Sequence, residues 1–324
     1  MGEALEFVAA MNALMKQQKL PMIDHCMVYD DADIPSERKG NEQPGEENGY
    51  YNARDYLLDV LPILQTSGAF GALFQFSSRN EFNGFYMENR HRYDLFPATA
   101  ATSPVEPRIF DEARQRVLRE YTAKTGSMPQ LRVPPRELGW AYDFYLAKLP
   151  EGALPITLSF EEHFSGNGFT PHAETWLSFI DKCQREFPDV VFVTVGPRGR
   201  RFEGFRGREN VIIANDYGAT AIEQMALVSA SGAFIGTDAG LASFVLFSSV
   251  PYVLYQGAPD VDRWKPVLSG LQRVVCVQKP INSEQVFDDF TGLFHGIQKE
   301  RWFANVRTFA KPKHGHPTSV TVKV

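Results

Sequence analysis

The sequence predicts an α/β protein with parallel, doubly wound sheets, and three observations predict it. Short apolar, often β-branched runs alternate with helix-length segments from Pro155 to Gln298. The stretch Ser231 to Tyr255 sets an apolar run, the polar turn Gly236-Thr237-Asp238-Ala239-Gly240, a helix-length piece and a second apolar run in succession, which reads as strand, turn, helix, strand. A length of 324 residues accommodates two domains of ordinary size, each with its own core.

Taken in order, Ala4 to Gln17 is a helical stretch, Met22 to Tyr29 a strand, and Pro35 to Gly49 a long loop rich in Gly, Pro and Glu. Tyr51 to Leu64 reads as a helix, Gly71 to Phe76 as a strand, Asn80 to Asn89 as a helix and Tyr93 to Phe96 as a short strand. This half begins with a helix and lacks an opening strand, so its nucleotide-fold-like domain is read as incomplete. Prolines at Pro129 to Pro135 and in Pro150 to Pro155 mark junctions, and the boundary is placed near residue 150, giving domains 1-150 and 151-324.

The second half is more regular. Pro155 to Phe160 is a strand, and Thr170-Pro171 supplies a cap and a first-turn proline for a helix whose buried stripe is Trp176, Phe179, Ile180 and Cys183. Val190 to Val195 is a buried strand closed by Gly196-Pro197, and Asn210 to Ala214 is a shorter one. Thr220 and Glu223 form a capping box ahead of Ile222, Met225 and Ala226. After the Ser231 to Tyr255 unit, Arg273 to Val277 is a last strand and Ser283 to Gln298 a last helix.

Hydrophobic residues make up 44% of the chain, yet no apolar run approaches the roughly 18 residues of a membrane span. The start Met-Gly-Glu-Ala-Leu-Glu lacks a secretory pattern, and the three cysteines, Cys26, Cys183 and Cys276, have neither disulfide nor metal spacing, so a cytoplasmic location is expected. The net charge of -6 argues against general nucleic-acid binding. Charge is unevenly placed: seven acidic residues between Asp30 and Gly49 face only Arg38 and Lys39, while Arg198, Arg200, Arg201, Arg206 and Arg208 face only Glu203. The arginines suit either a phosphate or a solvated loop. His314 and His316 lie in a Pro/Gly-containing terminal tail, and no metal site is expected.

The turn at Gly236 to Gly240 is the first candidate site. In a parallel sheet it falls at the carboxyl edge of the strands, where open α/β sheets bind ligands, and the helix it opens offers N–H groups to an anion. Its glycines permit close backbone approach, Thr237 offers a hydroxyl, and Asp238 offers an acceptor for sugar hydroxyls or a cap for the following helix.

Over Pro155 to Gly257, roughly a third of the chain, the order of elements resembles the C-terminal domain of GT-B-fold glycosyltransferases, in particular the heptosyltransferase-like group. The segments that carry the resemblance are Ile156-Thr-Leu-Ser159, Trp176, Val190-Val-Phe-Val-Thr-Val-Gly196, Ile222-Glu-Gln-Met-Ala-Leu227, Gly236-Thr-Asp-Ala-Gly240 and Pro251-Tyr-Val-Leu254. The resemblance implies two Rossmann-like domains, with a nucleotide-diphosphate sugar held in the second one by Gly236, Thr237, Asp238, Ala239 and Gly240 and by the loop after Ser159. The family's turn is usually followed by Pro-Met-His, whereas Leu241-Ala-Ser243 stands here, so that histidine's role does not transfer. The family's lysine in the first loop is also absent from Phe160-Glu-Glu-His-Phe164, which leaves His163 or the arginines from Arg198 onward to supply positive charge.

An inverting transfer needs a base for the acceptor proton and stabilisation of the departing diphosphate. The resemblance puts the base in the N-terminal domain. Candidates are Asp24, His25 and Asp30, with Asp31 and Asp33 close behind; adjacent strand residues point to opposite faces, so only one of Asp24 and His25 can face a cleft. The expected function is a metal- and cofactor-independent glycosyltransferase in polysaccharide biosynthesis, taking a nucleotide sugar and a glycan or other acceptor, with peripheral membrane contact open. Two alternatives stand beside it: a nucleotide-sugar epimerase of the same fold and a catalytically silent binding module.

Overall fold

Six runs rich in Val, Ile, Phe and Tyr pair into one parallel sheet, because strands buried on both faces need apolar side chains in both directions. The computed structural model describes residues 2–28, 61–68, 70–97, 107–160, 173–196, 200–237, 240–257, 270–277, 281–297 and 302. The six strands are β3 (Leu154–Ser159), β4 (Val190–Thr194), β5 (Val211–Ile213), β6 (Ala233–Thr237), β7 (Tyr252–Gly257) and β8 (Gln272–Val277). They lie in the order β5-β4-β3-β6-β7-β8, every neighbouring pair parallel. The order runs outward from β3 in one direction and from β6 in the other, so the sheet reverses between these two strands.

Helix α5 (Ala173–Glu186) buries Trp176, Phe179, Ile180 and Cys183, the stripe read from the sequence. It packs with α8 (Ser283–Gly296) through Phe179 on Phe290 at 5.5 Å and Phe187 on Phe294 at 4.4 Å between ring centroids. Right-handed crossovers place helices of opposite travel on opposite faces. Accordingly α6 (Ala221–Ala230), which returns the chain from β5 to β6, packs instead with α4 (Pro135–Lys148). There the Tyr145 hydroxyl donates to the Leu227 carbonyl at 2.7 Å, and the Trp302 indole, beside Tyr145, donates to the Ala230 carbonyl at 2.6 Å.

The N-terminal part carries α1 (Gly2–Gln18) and a two-stranded parallel sheet of β1 (Ile23–Val28) and β2 (Phe70–Phe76). Helix α2 (Arg79–Asn89) follows, capped by the Ser78 hydroxyl, which accepts from Glu81 N at 3.2 Å. Helix α3 (Pro107–Thr125) packs on α1, where Arg114 bridges Glu6 at 3.2 Å and Asp111 at 2.8 Å. One apolar cluster runs from Leu5 and Val8 of α1 to Val286 and Phe290 of α8.

Three expectations change. Residues 93–96 are not a strand; Tyr93 lies against Phe74 at 6.2 Å and Phe85 at 6.1 Å, so its aromatic side chain caps the β2–α2 unit without extending the sheet. Helices α3 and α4 fill a region for which the sequence predicts no element, and Pro135, expected in a junction, is the first residue of α4. The helix after the Gly236 turn, α7, runs only from Ala242 to Leu246. The Ser248 hydroxyl donates to the Val245 carbonyl at 2.9 Å and accepts from Val250 N at 3.3 Å, which turns the chain toward Pro251 and β7. The loop 35-49, most of the 51-64 helix, Thr170-Pro171 and the histidines 314 and 316 lie outside the described residues.

Candidate functional site

The carboxyl ends of β4, β3 and β6 meet where the sheet reverses. Ser159, last residue of β3, is the ladder partner of Gly236 in β6, and the two strands approach so closely that a Cβ on Gly236 would stand 2.0 Å from the Ser159 carbonyl oxygen. Only glycine fits there. Thr237, the next residue and the end of β6, is fully buried and pairs with Tyr255 of β7. Gly240 has a φ of +36°, in the left-handed region that favours glycine. The turn therefore leaves the sheet beside Ser159, as the sequence placed it, while Asp238 and Ala239 lie outside the described residues.

On the other side of β3, the chain leaves β4 at Gly196, whose φ of +142° again calls for glycine and whose hypothetical Cβ would lie 3.4 Å from the Ser159 hydroxyl oxygen. Both backbone polar groups of Gly196 are held by side chains. Its N–H donates to the Gln224 amide oxygen at 2.6 Å, and its carbonyl accepts from the Asn215 amide nitrogen at 3.0 Å. Gln224 in turn donates to the Asn215 side-chain oxygen at 2.9 Å and to the Ala219 carbonyl at 3.1 Å. Ser159, Gly196, Gly236, Thr237 and Gly240 are thus gathered at one sheet edge by three adjacent strands.

The five-residue α7 gives this edge little aligned helix dipole, and its N-cap, Leu241, has no side-chain cap bond. The long helix expected to open at Gly240 and offer its N–H groups to an anion is therefore not present; the helix there is one short turn. The arginine run is likewise divided: Arg206 pairs with Asp216 at 2.7 Å, and Arg208 pairs with Asp181. Both arginines are thus engaged in ion pairs on the flank of the sheet. Arg198 and His163 lie outside the described residues.

Two of the candidate bases, Asp24 and His25, sit on the smaller sheet. The β1–β2 register slips between Ile23 and His25, and at this irregularity the Asp24 carboxylate accepts from Ala72 N at 2.7 Å. Gly71 makes room for it, since a Cβ there would stand 2.3 Å from the Asp24 oxygen. His25 points the other way, only 4% exposed, stacked on Phe70 at 5.0 Å with Phe7 edge-on at 6.1 Å. Its Nε2 has no hydrogen-bond partner among the described residues, and burial pulls its pKa below the ordinary value, against the opposing pull of the Asp24 charge. The structure thus separates Asp24 and His25 onto opposite faces; Asp30 lies outside the described residues. The Gln224–Asn215–Gly196 set was missed from sequence, where a glutamine in an apolar helix carries no signal of what its amide reaches.

Among the described residues no group of His, Cys, Asp and Glu is arranged to hold a metal ion, and no helix is long and apolar enough to cross a membrane. No protein-family model matches the sequence, and no curated protein does so. Among solved structures, the chain is similar to a glycosyl transferase of family 9 from Veillonella parvula, at 11% identity over 95% of this chain and 93% of that one with a TM-score of 0.54. It is also similar to the E. coli ADP-heptose LPS heptosyltransferase II, at 13% identity over 90% of this chain and 95% of that one with a TM-score of 0.57. At these identities the likeness is one of fold, and it extends the GT-B-like α/β architecture from the third of the chain that carries the motifs to nearly all of it.

Proposed function

We propose that the protein is a glycosyltransferase that takes a sugar from a nucleoside-diphosphate donor held at the carboxyl ends of β3 and β6. The observation that carries this reading is the pairing of Ser159 with Gly236 at the point where strand order reverses, because doubly wound sheets bind nucleotides in the crevice outside that point. The fold likeness to two glycosyltransferases supports it. In this reading Ser159, Gly236, Thr237, Asp238, Ala239 and Gly240 line the diphosphate and sugar, with His163 and Arg198 supplying positive charge. Residues 1-150 form the acceptor side and 151-324 the donor side, and transfer takes place at the cleft between them.

The chemistry needs a base to take the acceptor proton as its oxygen attacks the anomeric carbon and the diphosphate departs. Asp24 is engaged with Ala72 N, and His25 is enclosed between Phe7 and Phe70. Asp30, two residues beyond β1, is therefore the base we favour among the three. Asp30→Asn should lower kcat by 100-fold or more, in the range of about 10²–10⁴ for general-base catalysis, with donor affinity unchanged. Equal kcat in the two proteins would remove Asp30 from the mechanism.

The test is a panel of ADP-, UDP-, GDP- and CDP-linked sugars, scored by thermal shift and then by product. A donor at about 100 times its Kd should stabilise the fold by about 2.7 kcal/mol. Transfer to an acceptor supports the reading. Release of free nucleotide with no acceptor product supports the epimerase, and stabilisation by none of the panel supports a silent module.

A further inference from the structure

We propose that Gln224 is a positioning residue of the donor site: with Asn215 it clamps both backbone polar groups of Gly196 and so fixes the corner that faces Ser159. The inference rests on the donor reading of this edge and adds to it a residue that no donor would touch. Gln224 lies on α6, only 6% exposed, in a helix whose neighbouring positions Met225, Ala226 and Leu227 are wholly apolar and buried. A buried amide in such a helix is costly unless its groups are satisfied.

The amide's orientation follows from its neighbours. Gly196 N–H requires an acceptor and the Ala219 carbonyl requires a donor, so the Gln224 oxygen faces the first at 2.6 Å and its nitrogen the second at 3.1 Å. The same nitrogen reaches the Asn215 oxygen at 2.9 Å, which turns the Asn215 nitrogen onto the Gly196 carbonyl at 3.0 Å. The ring closes on a glycine whose φ of +142° has no other restraint from a side chain of its own. Its hypothetical Cβ lies 3.4 Å from the Ser159 hydroxyl, so any drift of Gly196 alters the space beside Ser159. The charged groups of the surrounding elements are engaged elsewhere: Glu223 of α6 accepts from Thr220 N at 2.8 Å, and Asp216 pairs with Arg206 at 2.7 Å. A neutral amide also avoids setting a fixed negative charge behind a diphosphate.

The test uses the full chain and calorimetric titration with ADP, UDP, GDP and CDP at pH 8 and pH 5.5, with melting curves on every variant. Gln224→Met removes the clamp and should weaken the bound nucleotide about tenfold, the scale of one hydrogen bond to a buried group. Gln224→Glu keeps the shape but, when ionised, loses the donor to Ala219 and Asn215. It should bind about tenfold more weakly at pH 8 and recover to within about threefold of wild type at pH 5.5, because burial raises a carboxyl's pKa and the protonated group regains an O–H donor. A merely structural role would lower the melting temperature without this pH-dependent recovery. Gln224→Met binding as tightly as wild type, or Gln224→Glu showing no recovery, overturns the positioning role and leaves the donor site standing. Wild type binding none of the four nucleotides overturns both.

Discussion

A methyl group on Gly236 would stand 2.0 Å from the Ser159 carbonyl oxygen, and that oxygen belongs to a central strand that cannot withdraw. Gly236→Ala should therefore cost about 1–3 kcal/mol, the range for overpacking a tight interior. Gly292, exposed in α8 with nothing near its hypothetical Cβ, is the control: Gly292→Ala should stabilise by about 0.5–1 kcal/mol because alanine loses less entropy in a helix. Urea unfolding of the two variants checks both signs, and equal effects would dismiss close strand approach as the reason for Gly236. His25 offers a different residue-scale prediction. Burial holds its folded pKa below the 6.5 of a free imidazole, so the unfolded chain binds the extra proton first and stability falls as pH drops through and below about 6.5. In His25→Phe, which keeps the aromatic packing against Phe7 and Phe70, the slope of stability between pH 7 and pH 5 should be shallower than in wild type. An unchanged slope would mean that this imidazole does not titrate between the two states.

Elements whose rules are local were readable in the chain. Thr220 and Glu223 form the capping box that their spacing announced, with the Thr220 hydroxyl accepting from Glu223 N and the Glu223 carboxylate accepting from Thr220 N. Thr220→Ala should cost about 0.5–2 kcal/mol in thermal or urea unfolding, and a smaller loss would mean that packing on α4 already holds the helix start. The Trp176 stripe was equally legible, because four apolar residues at helical spacing admit one buried face. Helices α3 and α4 are not legible in the sequence, for physical reasons. Charged residues dilute the stripe Ala113, Val117 and Tyr121 of α3, and the prolines before α4 suit a linker and a first helical turn equally well. The shortness of α7 follows from Ser248, which turns the chain through bonds to Val245 and Val250 that apolar periodicity does not report. Half of the site edge was legible for the same reason that the strands were: Gly236 to Gly240 is contiguous, and its place follows from strand alternation. The Gly196 corner was not, since it is made by Gln224, 28 residues away, and by Asn215 across a 3-10 turn.

At the scale of the molecule, one apolar cluster links α1 to the large sheet, and the backbone of the segment before α4 joins it: Leu131 N donates to the Phe247 carbonyl at 2.7 Å, just past α7. The Gly236 unit is thus supported from behind by the N-terminal part of the chain, while its other side faces the carboxyl edge. A fold with TM-scores of 0.54 and 0.57 to two glycosyltransferases, at 11% and 13% identity, shows how little of such an architecture depends on particular residues. What the donor reading requires is narrower: a glycine at the strand crossing, a second glycine corner beside Ser159, and a turn that carries Asp238. The central claim is that this turn holds a nucleotide sugar, and the most direct measurement is calorimetric affinity for the donor in wild type and in Asp238→Ala. We predict a weakening of about tenfold or more, as for the loss of one hydrogen bond by an ionised acceptor, with a melting temperature within a few degrees of wild type. Unchanged affinity in Asp238→Ala, or no affinity for any nucleotide sugar in wild type, would contradict it.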